Sequence, residues 1–136
     1  MGGQCHKPVR DTAAMISGMD PALDSAEYYF CVVEDAALLG EALAMFREDE
    51  GLSLILSEDV ARRHGVSLDL PMRRITLRVH SALDGVGLTS AVATVLAEAG
   101  IPCNMVAAYH HDHAFVPADR ADEALRLLRD LSGGGV

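Results

Sequence analysis

The chain has 136 residues and a formal net charge of -9 at pH 7; half of it is hydrophobic, yet only 4% is aromatic and there is no tryptophan. That length supplies one compact domain or two small fused halves and excludes large multidomain architectures. The acidic balance opposes phosphate backbones, with Arg73, Arg74 and Arg78 as the densest basic group, and no apolar run approaches membrane-spanning length, so neither nucleic acid nor membrane is an expected partner.

Residues 1–22 read as an N-terminal tail with a short helix over Asp11 to Met19, punctuated by Gly18 and Pro21. Glu27 to Val33 is a β-rich run, apolar on both faces after Tyr28, which marks a central strand. Leu39, Ala42, Leu43 and Phe46 then share one helical stripe, and their spacing predicts a helix ended by Gly51. Leu52 to Leu56 is a short apolar run. After it Ser57 can cap a two-turn helix with Glu58 and Asp59 in its first turn, Arg62 and Arg63 in its last and Gly65 beyond. Ser67 to Pro71 is the linker between the halves, placed at 23–70 and 71–132.

In the second half Ile75, Leu77 and Val79 alternate with Thr76, Arg78 and His80, the period of a half-buried strand. Past the turn Asp84-Gly85-Val86-Gly87, the apolar positions Leu88, Ala91, Val92, Val95, Leu96 and Ala99 form one helical face that Gly100 stops. Asn104 to Tyr109 reads as a strand parallel to the first through a right-handed crossover, and His113 to Pro117 follows so closely that a hairpin must join the two. Asp119 is positioned to cap a last helix with Ala121, Ala124, Leu125, Leu128 and Leu131 on its buried stripe, and 133–136 is a glycine-rich tail expected to be flexible. The halves thus read β-α-β-α and β-α-β-β-α, an α+β, ferredoxin-like α/β sandwich.

The segments Ile75 to Ser81, Leu83 to Leu88, Ala99 to Ile101, Asn104 to Val106 and His111 to Pro117, with Glu50 to Leu56 before them, resemble the ACT family of small regulatory modules. The resemblance is to bacterial proteins of unknown function with two ACT-like halves in tandem. It implies a βαββαβ-type fold that associates through sheet edges or helices and binds an amino acid near the loop after the first strand. The chain departs from that pattern because Ser132 to Val136 is too short and glycine-rich for a last strand. Glu27 to Val33 is the candidate to supply it by exchange between halves.

The loop residues Asp84, Gly85, Val86, Gly87 and Leu88 suit a ligand on physical grounds. Two glycines permit close backbone approach, and the first amides of the following helix carry positive partial charge for a carboxylate. Asp84 can balance an ammonium, and Asn104 offers a donor and an acceptor, with His80, Ser81 and Val106 at the ligand edge. Before the resemblance, the same residues read first as a plain tight turn whose Gly87 lets helix and strand pack. A dinucleotide fingerprint fails because Ser90 replaces its third glycine and Asn104 its acidic ribose partner, so no cofactor is expected.

His111, Asp112 and His113 are the metal candidates, since two imidazoles and a carboxylate can hold a divalent ion, although adjacent residues seldom converge on one centre. Cys5, Cys31 and Cys103 are an odd number without C-x-x-C spacing; they read as reduced, non-nucleophilic thiols in a cytoplasmic setting. The expected function is a non-catalytic sensor of an amino acid or similar small metabolite at a domain or subunit interface. It would be a homodimer, since sheet edges need partners, and would act on a regulated protein in trans. A small metal-dependent enzyme using His110 to His113 and a structural dimerisation module are the alternatives.

Overall fold

The computed structural model describes residues 8–133. Cys5, the rest of 1–7 and the tail residues 134–136 lie outside the described residues. Helix α1 (Thr12–Ser17) is capped by Asp11, whose carboxylate accepts from the Ala14 amide. It leads into β1 (Pro21–Val33), which starts six residues earlier than the apolar run alone implies. Strands β2 (Ala44–Glu48) and β3 (Gly51–Ser57) form a hairpin, and α2 (Glu58–Arg63), capped by Ser57, follows. The second half comprises β4 (Met72–Leu77), α3 (Leu88–Glu98), β5 (Asn104–Ala107), β6 (Asp112–Pro117) and α4 (Ala121–Ser132).

Two expectations need correction. The stripe Leu39 to Phe46 is not an α-helix: Leu39–Glu41 makes one 3-10 turn, and β2 then pairs with β3 from Ala44 opposite Ile55 to Glu48 opposite Gly51. Helical spacing lost because a continuous apolar partner, Leu52 to Leu56, lies one tight turn away and offers a ladder to every residue of β2. Gly51 therefore closes a hairpin. Its φ of 143° and the 2.6 Å that would separate a β-carbon from the Val33 carbonyl oxygen leave room for glycine alone. The last helix is also not capped by Asp119; a 3-10 turn, Ala118–Arg120, feeds it directly, and Arg120 pairs with Glu123 at 2.8 Å.

All six strands join one antiparallel sheet in the order β2-β3-β1-β4-β6-β5. Strand β5 runs parallel to β4 with β6 between them, as the crossover requires. The centre of the sheet supplies the missing strand, but from the front of β1, Pro21 to Tyr28, and not from the expected run Glu27 to Val33, most of which pairs with β3 alone. Read as ferredoxin-like units, β4 closes the first half beside β1, and β1 lies beside β4 where the second half lacks a strand of its own. Each half thus borrows its last sheet position from the other.

The long β1 does this by changing partner along its length: Tyr28 to Val33 pair with β3, and Pro21 to Tyr28 with β4. A bulge between Leu23 and Glu27 interrupts the register with β4. Asp24 holds the bulge, accepting from the Ala26 amide at 3.0 Å, the Tyr28 hydroxyl at 2.6 Å and Arg74 at 2.9 Å, while Arg73 donates to its carbonyl at 2.9 Å. Burial pushes the Asp24 carboxyl up, but these hydrogen bonds outweigh it and keep the group below the usual carboxylate range.

Alternation along the strands sorts residues onto two faces. On one, Met15 and Met19 join Ile75, Leu77, Val92, Leu96, Val116 and Leu128 in the larger core, and Tyr29, Leu54 and Leu56 pack on Val60 and Ala61 of α2. On the other face, which carries no helix among the described residues, Tyr28, Ile55, Met72 and Phe115 form a third cluster. Phe115 is 1% exposed there, with the rings of Tyr28 and Phe30 edge-on at 5.9 and 5.4 Å. Burial of one such side chain contributes about 1.5–3 kcal/mol. The sheet curls to achieve it, so that Val106 near one edge and Phe46 at the other line one trough.

Because the halves share β1 and β4, a fragment starting at Pro71 loses β1 and the Met15 and Met19 side chains of its core. Circular dichroism of that fragment is expected to show no cooperative unfolding transition, whereas the full chain shows one; an independently folded fragment would contradict the exchange.

Candidate functional site

The loop leaving β4 is shaped by the N-terminal segment. Val9 bridges Ser81 in parallel, its amide donating to the His80 carbonyl at 2.8 Å and its carbonyl accepting from Ala82 at 2.9 Å. Arg10 donates to Asp84 at 3.1 Å, with both side chains exposed, and the Thr12 hydroxyl donates to the Val86 carbonyl. Gly87 has a φ of 107°, and a β-carbon there would come within 2.6 Å of Thr12. Glycine is required at that position for both reasons.

Helix α3 starts at Leu88 with Gly87 as its N-cap, and no side chain accepts from its first amides. Those donors border a cleft of about 120 Å³ lined on the loop side by Ser81 to Leu83, Gly85, Gly87, Leu88 and Thr89. Ala107 and Asp112 of the β5–β6 hairpin form the opposite wall and Met15 of α1 joins them. Ser81 is only 9% exposed, and its hydroxyl donates to the Asp112 carboxylate at 3.3 Å. The cleft therefore brings uncapped amides and a carboxylate to one small space, which is the charge arrangement a zwitterion needs.

Of the expected site residues, Gly85, Gly87 and Leu88 line this cleft together with Ser81, whereas Asp84 and Val86 do not. Asp84 faces Arg10, and Val86 is 76% exposed. Asn104 starts β5 opposite Phe115, at the far end from Ala107, and borders a separate hollow with Phe30 and Met72. Val106 belongs to the apolar trough of about 500 Å³ lined by Phe30, Val32, Ala44, Phe46 and Ile55. His80 lies edge-on to His110 at 4.9 Å, beside Tyr109, at the mouth of the hairpin.

The metal candidates diverge. Asp112 points to Ser81 in the cleft, His113 bonds Thr76 at 3.0 Å, and the His111 ring stays 6.2 Å from His110. Among the described residues no three His, Cys, Asp or Glu side chains gather to hold an ion. Burial pushes the Cys31 and Cys103 thiols up, so neither is an activated nucleophile. Sequence reasoning missed Arg10, Thr12, Met15 and Ala107. The first three sit in an apparent tail, where nothing local marks a residue that touches a loop seventy positions on.

The chain is thus a ferredoxin-like double unit with a polar cleft at the mouth of a crossover helix. The chain belongs to the ACT family: the ACT domain matches residues 7–73 and again 70–130, giving two ACT domains in tandem. Among solved structures it is similar to a Vibrio cholerae protein of unknown function, described as a possible transport protein, at 44% identity and a TM-score of 0.77 over 84% of this chain and 89% of that one. An Agrobacterium tumefaciens protein shares 19% identity with a TM-score of 0.61, covering 78% of this chain and 83% of that one. The ligand-free regulatory subunit of aspartate kinase from Thermus thermophilus shares 13% identity with a TM-score of 0.59, over 82% and 95% respectively. The latter two are likenesses of fold. No protein of curated function matches the chain in sequence. Family membership supports a regulatory, small-molecule-binding role, and no helix among the described residues is long and apolar enough to cross a membrane.

His113 carries a pH dependence. Burial first, then the charges of Arg74 and His111, hold its pKa below the ordinary 6.5, against the opposing pull of Asp112. The unfolded chain therefore takes up a proton before the folded one, and the stability of the neutral ring, complete above the ordinary value, is lost as pH falls towards the depressed one. Thermal unfolding between about pH 7 and pH 5 is expected to drop more steeply for the wild type than for His113→Gln.

Proposed function

We propose that this protein is a non-catalytic regulatory sensor that binds a free amino acid or a similar small zwitterion in the cleft between the β4–α3 loop and the β5–β6 hairpin. One observation carries the reading: the uncapped amides of α3 and the Asp112 carboxylate, backed by the buried Ser81 hydroxyl, share a space of molecular size. The ligand carboxylate takes the amides and its ammonium takes Asp112, since Asp84 is committed to Arg10. Ligand bound there favours whichever arrangement of loop and hairpin closes on it, and the change is passed in trans to a regulated protein.

The assembly in this reading is a homodimer. Strand β2 is a free sheet edge, and Phe46, Met45, Phe30 and Val32 cluster beside it with 72%, 42%, 47% and 56% of their surface exposed. A cytoplasmic setting is supported by the free thiols of Cys31 and Cys103.

Titration calorimetry with the proteinogenic amino acids is expected to find binding that Asp112→Asn weakens about tenfold or more, a loss of about 1.4 kcal/mol. Absence of any amino-acid signal would leave the structural dimerisation module as the better reading. Sedimentation velocity is expected to show a dimer that Phe46→Glu converts to monomer, because a carboxylate buried at the joined edges has no partner there.

A further inference from the structure

We infer that two copies of this chain meet over the helix-free face of the sheet, the contact running inward from the β2 edge across the apolar trough, with Phe46 of each copy seated against the partner's Ala44 and Ser53. The inference rests on the homodimer reading above and adds the surface that is covered. Strand pairing sets the patch in two rows. Phe46 of β2 lies beside Ser53 of β3 and Ser53 beside Val32 of β1; in the next row Ala44 lies beside Ile55 and Ile55 beside Phe30. Cross-strand neighbours share a face, so large and small side chains stand together there. Phe46 projects, and the two small residues of the patch, Ala44 and Ser53, flank it. A projection next to a hollow is what a two-fold contact requires, because each copy then offers the other the same matching pair.

Area and charge both favour a second copy as the occupant. Phe30, Val32, Met45 and Phe46, each between 42% and 72% exposed, leave roughly 400 Å² of apolar surface open. That is about half of the ~800 Å² that each partner buries in a standard interface, close to the share that apolar atoms hold in one. The chain carries a net charge of -9, so two copies repel each other over most of their surfaces. Here they do not, since none of the described residues lining the trough is charged, and the Ser53 hydroxyl donates to Glu48. With that hydroxyl engaged, the lining of this space of about 500 Å³ keeps no free hydroxyl, amide or charge among the described residues. A metabolite needs such groups to be oriented, whereas the apolar patch of a second copy does not.

Sedimentation velocity of the full chain over a concentration series tests this, the wild type being expected to sediment as a dimer. Val32 lies two strands in from the β2 edge and is more than half exposed in one copy, so a single chain tolerates a lysine there. Val32→Lys is expected to weaken the dimer about 30-fold or more, the cost of losing a central contact. Thr94→Lys, the same charge placed on the exposed side of α3, is expected to leave the dimer intact. Ala44→Phe fills the hollow that the partner's Phe46 enters and is expected to weaken association about tenfold. A wild-type dimer that neither Val32→Lys nor Ala44→Phe weakens would place the contact elsewhere, overturning the covered face while leaving the homodimer reading in place. A wild type that stays monomeric at every concentration would overturn both.

Discussion

Backbone pairing of β1 with two different neighbours is the interaction on which the rest of the molecule depends. Strand β1 gives one edge to β3 and the other to β4, and the Asp24 network sits where its register with β4 shifts, between Leu23 and Glu27. Two Arg side chains, a Tyr hydroxyl and a backbone amide converge on one residue there, so that the bulge is over-determined rather than loose. With the shift in place, one continuous sheet replaces two separate ones, and neither half has an uncovered edge facing the other. The curl of this sheet then follows, because it lets Phe115 be buried on a face that carries no helix.

The cleft is a consequence of the same arrangement. Strand β4 ends beside β6, which places the β4–α3 loop next to Asp112 and Ala107. The segment that precedes β1 has to approach from the far side of that loop, and it does so along His80 to Ala82. Its residues therefore furnish one wall of the cleft and hold Asp84 away from it. A loop that looks self-contained is thus completed by residues from the opposite end of the chain.

The parts legible in the sequence were those whose signals are local and mutually consistent. Ser57 with the charges of α2 and the apolar stripes of α3 and α4 each specified their element within a residue or two, whereas the alternation from Ile75 to His80 found β4 but placed it three residues too late, because the strand runs from Met72 to Leu77. What escaped was non-local. The 39–46 stripe has helical spacing but belongs to a hairpin because of its partner, and the front of β1, with its polar Asp24 and Ser25, reads as a strand only once β4 lies beside it. For the site, the glycines and the start of α3 were visible because their backbone demands are intrinsic. The divergence of Asp112 from His113 was not, since it is set by the pleat of a strand whose bounds had to be known first.

The borrowed strand also sets a timetable. Leu23 pairs with Ile75 about fifty residues later in the chain, so the middle of the sheet stays open until that part has left the ribosome. At about 5–20 residues per second, the front of β1, Pro21 to Tyr28, waits several seconds for its β4 partner, while Tyr28 to Val33 already has β3 beside it. A pause in synthesis before residue 77 therefore lengthens the time for which that edge of β1 is without its ladder.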